Sequence, residues 1–274
     1  MVRVALYQAR SGIDPAANAD ALVSAVEAAA TGGAAMLFTP EMSGLLDSDR
    51  ERARPQVVEE PDDRVLAAMR EAAKRHGLWV SLGSLAVQAD EGRFANRAFV
   101  IDDAGEIRAR YDKIHLFDVD LPTGERWRES ASYRPGERAA IVPGTPVGTL
   151  GLTICYDLRF PALFARLAEA GADTIVVPAA FTVPTGEAHW HILLRARAIE
   201  AGLFVVAAAQ GGLHEDGRRT FGHSLVVDPW GEVLTDLGEG DEPRLGFADI
   251  DLGRIVEVRG RVPALVHRRP VPII

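Results

Sequence analysis

Asn96–Ile107 reads NRAFVIDDAGEI and Gly222–Val233 reads GHSLVVDPWGEV. Each is a run of β-forming residues that meets an Asp, turns through a Gly-Glu pair and resumes with a β-branched or apolar residue, the pattern of strand, tight turn and strand. Two further pairs recur in the same order: Ala34–Pro40 (AAMLFTP) with Ala172–Pro178 (ADTIVVP), and His76–Ser81 (HGLWVS) with Ala201–Val206 (AGLFVV). Three ordered matches predict two half-domains of like topology, about 1–113 and 147–250, separated by an insert and followed by a tail at about 251–274. The expected fold class is α/β, with two sheets packed face to face and helices outside, an α-β-β-α sandwich counted as a single domain over 1–274.

The helices between these strands are marked locally. Asp14-Pro15 offers a cap and a first-turn proline, Leu22, Val23 and Val26 share a face, and Gly32-Gly33 ends the segment. A second helix is expected from about Asp63 to His76, with Val65, Leu66, Met69 and Ala73 inward and Gly77 as its stop. Leu163, Phe164 and Leu167 mark a third after Pro161, and Glu187 to Ala201 a fourth.

Composition excludes several classes of partner. The 274 residues carry 30 Lys+Arg against 39 Asp+Glu, a formal charge of −9, and no long basic run that could follow a phosphate backbone. Nucleic acid is not expected as a partner. No segment approaches the roughly 18 apolar residues of a membrane helix, and the N-terminal MVRVALYQAR is apolar too briefly for a signal peptide. A cytoplasmic protein without membrane contact is the expectation.

The single cysteine lies in Gly151–Pro161, GLTICYDLRFP, where a β-like run gives way to a helix. One thiol can form neither an intrachain disulfide nor a Cys-rich metal cluster, which leaves a small buried side chain or a nucleophile. A nucleophilic thiol needs a base, a cation or a helix N-terminus, and the helix after Pro161 would direct its positive end towards Cys155. The turn would also aim backbone N–H groups at a bound carbonyl. Glu41 and Cys155 both follow strand ends, where α/β sheets gather their sites, so face-to-face halves could open both onto one cleft. His189-Trp-His191 could suggest a metal, but on a helix that spacing splays the two rings, and no metal site is expected.

Three fragments, Phe38–Ser43 (FTPEMS), Tyr111–Asp118 (YDKIHLFD) and Leu152–Pro161 (LTICYDLRFP), resemble the Glu, Lys and Cys signatures of the nitrilase superfamily of carbon–nitrogen hydrolases. The resemblance spans almost the whole chain. Gly186–Glu200, Val205–Gly211, Gly222–Gly231 and Val262–Pro270 are similar to the Nit subgroup, which includes deaminated-glutathione amidases and ω-amidases. Ala162 departs from the pattern where relatives commonly carry an acidic residue, and Val271-Pro-Ile-Ile274 lacks the common aromatic tail.

The resemblance implies a four-layer α-β-β-α subunit with an internal pseudo-twofold repeat, a homodimer or higher homo-oligomer, and no metal or organic cofactor. It implies hydrolysis of a small carboxylate-bearing amide to carboxylate and ammonia through a cysteine thioester. Carried onto this chain, Cys155 is the nucleophile, Glu41 the general base, and Lys113 with the Tyr156 N–H the oxyanion donors. Glu129 is expected as the second glutamate that orients substrate or Lys113, in preference to Glu125. Arg159 could bind a substrate carboxylate or pair with Asp157 to brace the turn. Phe181, Thr182 and Thr185, expected in the loop after Pro178, would line the pocket. The alternatives are an N-carbamoyl-amide hydrolase and a silent binding protein on the same scaffold.

Overall fold

The computed structural model describes residues 1–121 and 124–273. Pro122 and Thr123 of the insert and Ile274 of the final Val271–Ile274 stretch lie outside the described residues. In chain order the strands are β1 (Val2–Gln8), β2 (Met36–Phe38), β3 (Trp79–Gln88), β4 (Phe94–Ile101), β5 (Ile107–Asp112), β6 (Asp118–Asp120), β7 (Arg126–Arg128) and β8 (Ala140–Thr145). They continue as β9 (Gly148–Leu152), β10 (Thr174–Val176), β11 (Phe204–Ala207), β12 (Gly211–Leu213), β13 (Arg219–Phe221), β14 (Leu225–Val227), β15 (Val233–Asp236) and β16 (Arg244–Ile250). The α-helices are α1 (Pro15–Thr31), α2 (Arg50–Ala53), α3 (Arg64–His76), α4 (Pro161–Glu169), α5 (Val183–Ala201) and α6 (Gly253–Arg261).

Two six-stranded sheets form, in the orders β16-β1-β2-β3-β4-β5 and β8-β9-β10-β11-β14-β15. Along both sheets the pairing runs antiparallel, parallel, parallel, antiparallel, antiparallel. The three repeated sequence pairs fall on β2 and β10, on the entries to β3 and β11, and on the β4–β5 and β14–β15 hairpins. The outermost pairing departs from simple halves. β16, from within 147–250, completes the first sheet beside β1, while β8, from the insert, completes the second beside β9.

Strand alternation sorts the apolar residues into layers. Val4, Leu6, Met36, Phe38 and Val100 share a core with Leu150, Leu152, Ile175 and Val205 of the second sheet, and that core continues to Leu163, Trp190 and Leu194 of α4 and α5. Their neighbours Ala5, Leu37, Val80, Phe99 and Ile101 face the other way, onto Leu22, Val26, Leu66 and Met69 of α1 and α3. Helices, sheet, sheet and helices therefore stack in four layers, and each fully buried Leu, Phe or Met contributes about 1.5–3 kcal/mol of transfer free energy.

The helix ends follow their capping chemistry. The Asp14 carboxylate accepts from the Ala16 N–H and Asp63 from the Leu66 N–H, while Gly77 closes α3 at φ 58°. Val23, expected on the inner face of α1, is only half buried beside Leu22 and Val26. α5 begins at Val183, four residues before Glu187, because Thr182 serves as N-cap and Pro184 occupies the first turn. Thr185 consequently stands in a helix rather than in a loop.

Candidate active site

Glu41 sits in the turn after β2. A register shift in β3 between Leu82 and Leu85 brings Gly83 and Ser84 against that turn. Gly83 N–H donates to Thr39 Oγ1 at 3.0 Å, Ser84 Oγ accepts from Met42 N–H at 2.9 Å, and Ser43 N–H donates to Ser84 O at 2.9 Å. Any side chain at Gly83 would overlap the carbonyl oxygens of Thr39 and Pro40. Met42, immediately after Glu41, takes a left-handed φ of 55°.

Lys113 follows β5 and is fixed by its backbone: its N–H donates to Asn96 O at 2.9 Å and its carbonyl accepts from Gly136 N–H at 2.8 Å. Cys155 follows β9 with φ 47°, and its N–H donates to Pro178 O at 2.8 Å. A non-glycine residue in that region costs roughly 1–3 kcal/mol and persists only where its surroundings over-determine it. Asp157 supplies that determination. Its buried carboxylate accepts from Ile154 N–H at 2.9 Å, Tyr111 Oη at 2.7 Å and His115 N–H at 3.1 Å, and lies 2.7 Å from His115 Nδ1. The His115 ring in turn stacks on Phe160, 3.5 Å between centroids.

These elements bring three side chains together in the interior: Glu41 is 4% exposed, Lys113 2% and Cys155 7%. Lys113 Nζ lies 2.8 Å from Glu41 Oε1, and 3.1 and 2.9 Å from the two oxygens of Glu129. The Ala180 N–H donates to Glu41 Oε2 at 2.9 Å, and the Cys155 thiol stands beside the Glu41 carboxylate. Glu129 is also held by Phe117 N–H at 2.7 Å. Glu125 is exposed on the hairpin and meets Trp127 Nε1 at 3.4 Å. The insert thus delivers Glu129 to Lys113.

Electrostatics define the resting state. Burial pushes the Cys155 thiol up and the adjacent Glu41 charge pushes it further, with Lys113 only partly opposing. For Glu41, burial acts upward, but the Lys113 ammonium and hydrogen bonds from Lys113, Cys155 and Asn96 prevail and hold the carboxyl below its ordinary range. For Lys113, burial acts downward and is outweighed by Glu129 and Glu41, which hold its pKa well above the usual lysine value. A protonated thiol therefore rests against an ionised carboxylate, with an ammonium beside both.

The candidate contact residues divide. Tyr156, Phe181, Thr182 and Thr185 line the cavity of about 400 Å³ that opens onto Glu41, Lys113 and Cys155. Thr182 and Thr185 hydroxyls lie 2.8 Å apart across the first turn of α5. The Tyr156 N–H stands in the first turn of the 3-10 segment Cys155–Arg159, a position where helical geometry supplies no intrahelical acceptor. The turn between Cys155 and the helix is this 3-10 segment, and α4 starts at Pro161, where the sequence placed it. Arg159 is not among the residues lining the cavity. Its Nη1 meets His189 Nδ1 at 3.2 Å and its guanidinium lies near the Tyr156 and Phe181 rings, while Asp157 is occupied by Tyr111, His115 and Ile154. The pairing with Asp157 does not form, and the guanidinium stands beside two residues of the cavity wall.

Asn96 escaped the sequence reading. Its Nδ2 donates to Glu41 Oε1 at 2.9 Å and to Glu129 Oε1 at 3.1 Å, joining the two carboxylates that flank Lys113. The available signal was a lone amide side chain within a largely apolar strand, opposite Gly222 in the repeat. Among the described residues, His191, His223 and Asp236 form the one grouping that could hold a metal, with candidate ligand atoms within 4.8 Å of one another. It lies outside the cavity lining, and both rings already meet Asp236, His191 at 2.8 Å and His223 at 3.0 Å. His189 points instead to Arg159, so the two rings of the His-Trp-His run do separate.

Comparison with known proteins agrees with this geometry. The carbon-nitrogen hydrolase family model matches residues 3–260. A deaminated glutathione amidase of Yersinia enterocolitica is 43% identical over 243 residues, 86% of this chain and 82% of its own length. The crystal structure of the C. elegans NitFhit protein superposes with a TM-score of 0.87 at 37% identity, covering 98% of this chain and 65% of that one. A mutant amidase from Nesterenkonia sp. AN1, showing covalent addition of the acetamide moiety of fluoroacetamide at its active site cysteine, superposes with a TM-score of 0.82 at 29% identity, covering 98% and 94% of the two chains. With the match running through nearly the whole sequence and through both sheets, the chain belongs to the carbon-nitrogen hydrolase family and is a hydrolase of carbon–nitrogen bonds.

Proposed function

We propose that the protein hydrolyses a small carboxylate-bearing amide of the deaminated-glutathione or 2-oxo-acid ω-amide type, through a thioester on Cys155. The observation that carries the reading is the buried contact of a protonated thiol with an ionised carboxylate and an ammonium at the floor of one cavity.

The chemistry follows from that contact. Glu41 accepts the thiol proton as Sγ attacks the amide carbon, and the carbonyl oxygen becomes an oxyanion held by Lys113 Nζ and the Tyr156 N–H. Glu41 returns the proton to the nitrogen as the carbon–nitrogen bond breaks, releasing ammonia or, from a secondary amide, the free amine. The same carboxylate then takes a proton from water, whose oxygen attacks the thioester, and the carbon–sulfur bond breaks with return of that proton to Cys155. Glu129, with Asn96, keeps Lys113 in place. Tyr156, Phe181, Thr182 and Thr185 form cavity walls against the acyl chain.

A homodimer is part of the proposal, supported by apolar side chains left exposed on α5 and α6, among them Ile192, Ile199 and Val256. Sedimentation equilibrium tests it, a monomer at micromolar concentration counting against it. A cytoplasmic location is proposed with it, since one cysteine gives the sequence no disulfide of its own.

The activity is tested by mass spectrometric detection of 2-oxoglutarate from 2-oxoglutaramate and from deaminated glutathione. Formation by the wild-type protein and not by Cys155→Ala is the expected result. Turnover confined to an N-carbamoyl amide, or absence of turnover on all three, would refute the proposed substrate class.

A further inference from the structure

Outside the cavity, three segments far apart in the sequence bring a second polar cluster together. His191 lies on α5, His223 follows β13 and Asp236 ends β15. His191 Nε2 lies 2.8 Å from Asp236 Oδ2, and His223 Nδ1 lies 3.0 Å from both Asp236 oxygens. The two rings stand 4.9 Å apart between centroids, at 78° to one another, so each presents a nitrogen to the same carboxylate from its own direction.

The cluster is held in shape by its surroundings. His223 takes a left-handed φ of 53°, which a non-glycine residue keeps only where its neighbours over-determine it. Its N–H donates to Gly238 O at 3.0 Å, its carbonyl accepts from Trp190 Nε1 at 2.9 Å, and its ring stacks on Phe221 with 4.4 Å between centroids. Asp236 Oδ1 accepts from the Gly238 N–H at 2.8 Å. Glu239 Oε1 stands 3.9 Å from His223 Nε2, the far ring nitrogen, where a carboxylate favours the tautomer that leaves Nδ1 its lone pair. All three side chains of the cluster are partly exposed, so an ion in solution can reach them.

Two imidazoles and a carboxylate are zinc ligands, and donors bound at about 2.0–2.1 Å in a tetrahedral shell stand roughly 3.3 Å apart. The His–Asp separations fall short of that spacing by about half an ångström or less, and the three donors lie within 4.8 Å of one another. Rotation of the side chains suffices to close the site, with water in the fourth position. Imidazole donors also select a first-row transition ion over Mg²⁺ or Ca²⁺.

We propose that His191, His223 and Asp236 bind one Zn²⁺ ion as a structural clamp, joining α5 to the β14–β15 hairpin and to the turn after β13. The pair marked by the His-Trp-His run is not the site: His191 alone takes part, and His189 meets Arg159. The same segments build one side of the cavity, where Thr182 bridges Thr220 and the Phe221 N–H donates to Phe181 O at 2.9 Å. The ion therefore braces that wall from behind without touching Glu41, Lys113 or Cys155.

The test uses full-length Cys155→Ala protein, which removes the one thiol that could compete for zinc, and compares it with the same protein carrying His191→Ala or Asp236→Asn. After dialysis against EDTA, each is titrated calorimetrically with zinc chloride. The parent should take up one equivalent per chain. Groups that only orient a metal ligand are worth about 10- to 100-fold in affinity, so loss of a direct ligand should weaken binding at least about 100-fold. Ala is a strong helix former, so α5 survives the change at His191, the zinc-free proteins should melt close together, and zinc should raise the melting temperature of the parent alone. No uptake by the parent would overturn the proposal, as would uptake of equal affinity by both variants or a zinc-dependent rise in melting temperature shared by His191→Ala.

Discussion

Glu41 pairs with Lys113 beside Cys155, and this environment suits the base role proposed for it. An ordinary glutamate in this interior would be protonated, yet Lys113 holds it ionised while the same burial keeps the thiol neutral. The sign of the pH dependence follows. Glu41 loses its charge only below the usual carboxylate range, and Cys155 keeps its proton beyond the usual thiol range, so the reactive pair persists across neutrality. We expect kcat/KM to be flat from about pH 6 to 8, with no limb at the ordinary histidine value. A limb near 6.5 in the pH–rate profile would point to a histidine in the reaction. The ion pair is also structural: with a depressed folded-state pKa, Glu41 contributes stability above the ordinary carboxylate range that is lost as pH falls through its folded-state value. Lys113→Met leaves two buried carboxylates without their cation and should cost about 3–5 kcal/mol in urea denaturation. Glu41, Lys113 and Cys155 could be read from the sequence because each stands in a distinctive fragment, whereas Glu129 is preferred to Glu125 only by the Glu-Ser pair ahead of Pro135-Gly136. Asn96 could not, because a lone Asn within a strand carries no motif and its role appears only when Glu41 and Glu129 converge on it.

At the scale of elements, the turns position the chemistry. The shifted register of β3 lets the Gly83 backbone lie against Thr39 and Pro40, and the Glu41 turn is hung from it by Ser84. Gly83→Ala would force those carbonyls away. Displacements of about 1 Å at a reacting group cost on the order of 100-fold in rate, so turnover should fall by that amount while far-UV circular dichroism stays that of the wild type. Retained turnover would show that the Glu41 turn is positioned independently of β3. Strands and helix caps were readable because alternation, Asp caps and terminal glycines are local. The edge partners β8 and β16 were not, since which sheet an edge strand joins is set by tertiary pairing rather than by its own pattern. The turn after Cys155 was legible from Pro161, but what holds it was not: Asp157 bonds Tyr111 and His115 from the other half, a tie set by tertiary packing.

For the whole molecule, the two equivalent sheets divide the labour. The first half supplies Glu41 and Lys113, the second supplies Cys155 and the Ala180 N–H, the insert supplies Glu129, and the cavity lies where they meet. Because each sheet has its own helical layer, stability and chemistry are separable. Met69→Ala opens a cavity between α3 and the first sheet and should cost about 2–5 kcal/mol of unfolding free energy, with kcat at 25 °C kept near the wild-type value. The repeat made this architecture legible and the resemblance placed Phe181, Thr182 and Thr185 on the cavity wall, whereas the parts of that wall drawn from the insert and the β12–β13 loop became visible only once those segments were placed together. The central claim is that Cys155 carries the acyl group. Rapid acid quench of the wild-type protein during turnover of 2-oxoglutaramate, followed by peptide mass spectrometry, should find the acyl mass on the peptide containing Cys155, and Cys155→Ala should show neither adduct nor ammonia. Ammonia release by Cys155→Ala at the wild-type rate, or an acyl group on another residue, would contradict the account.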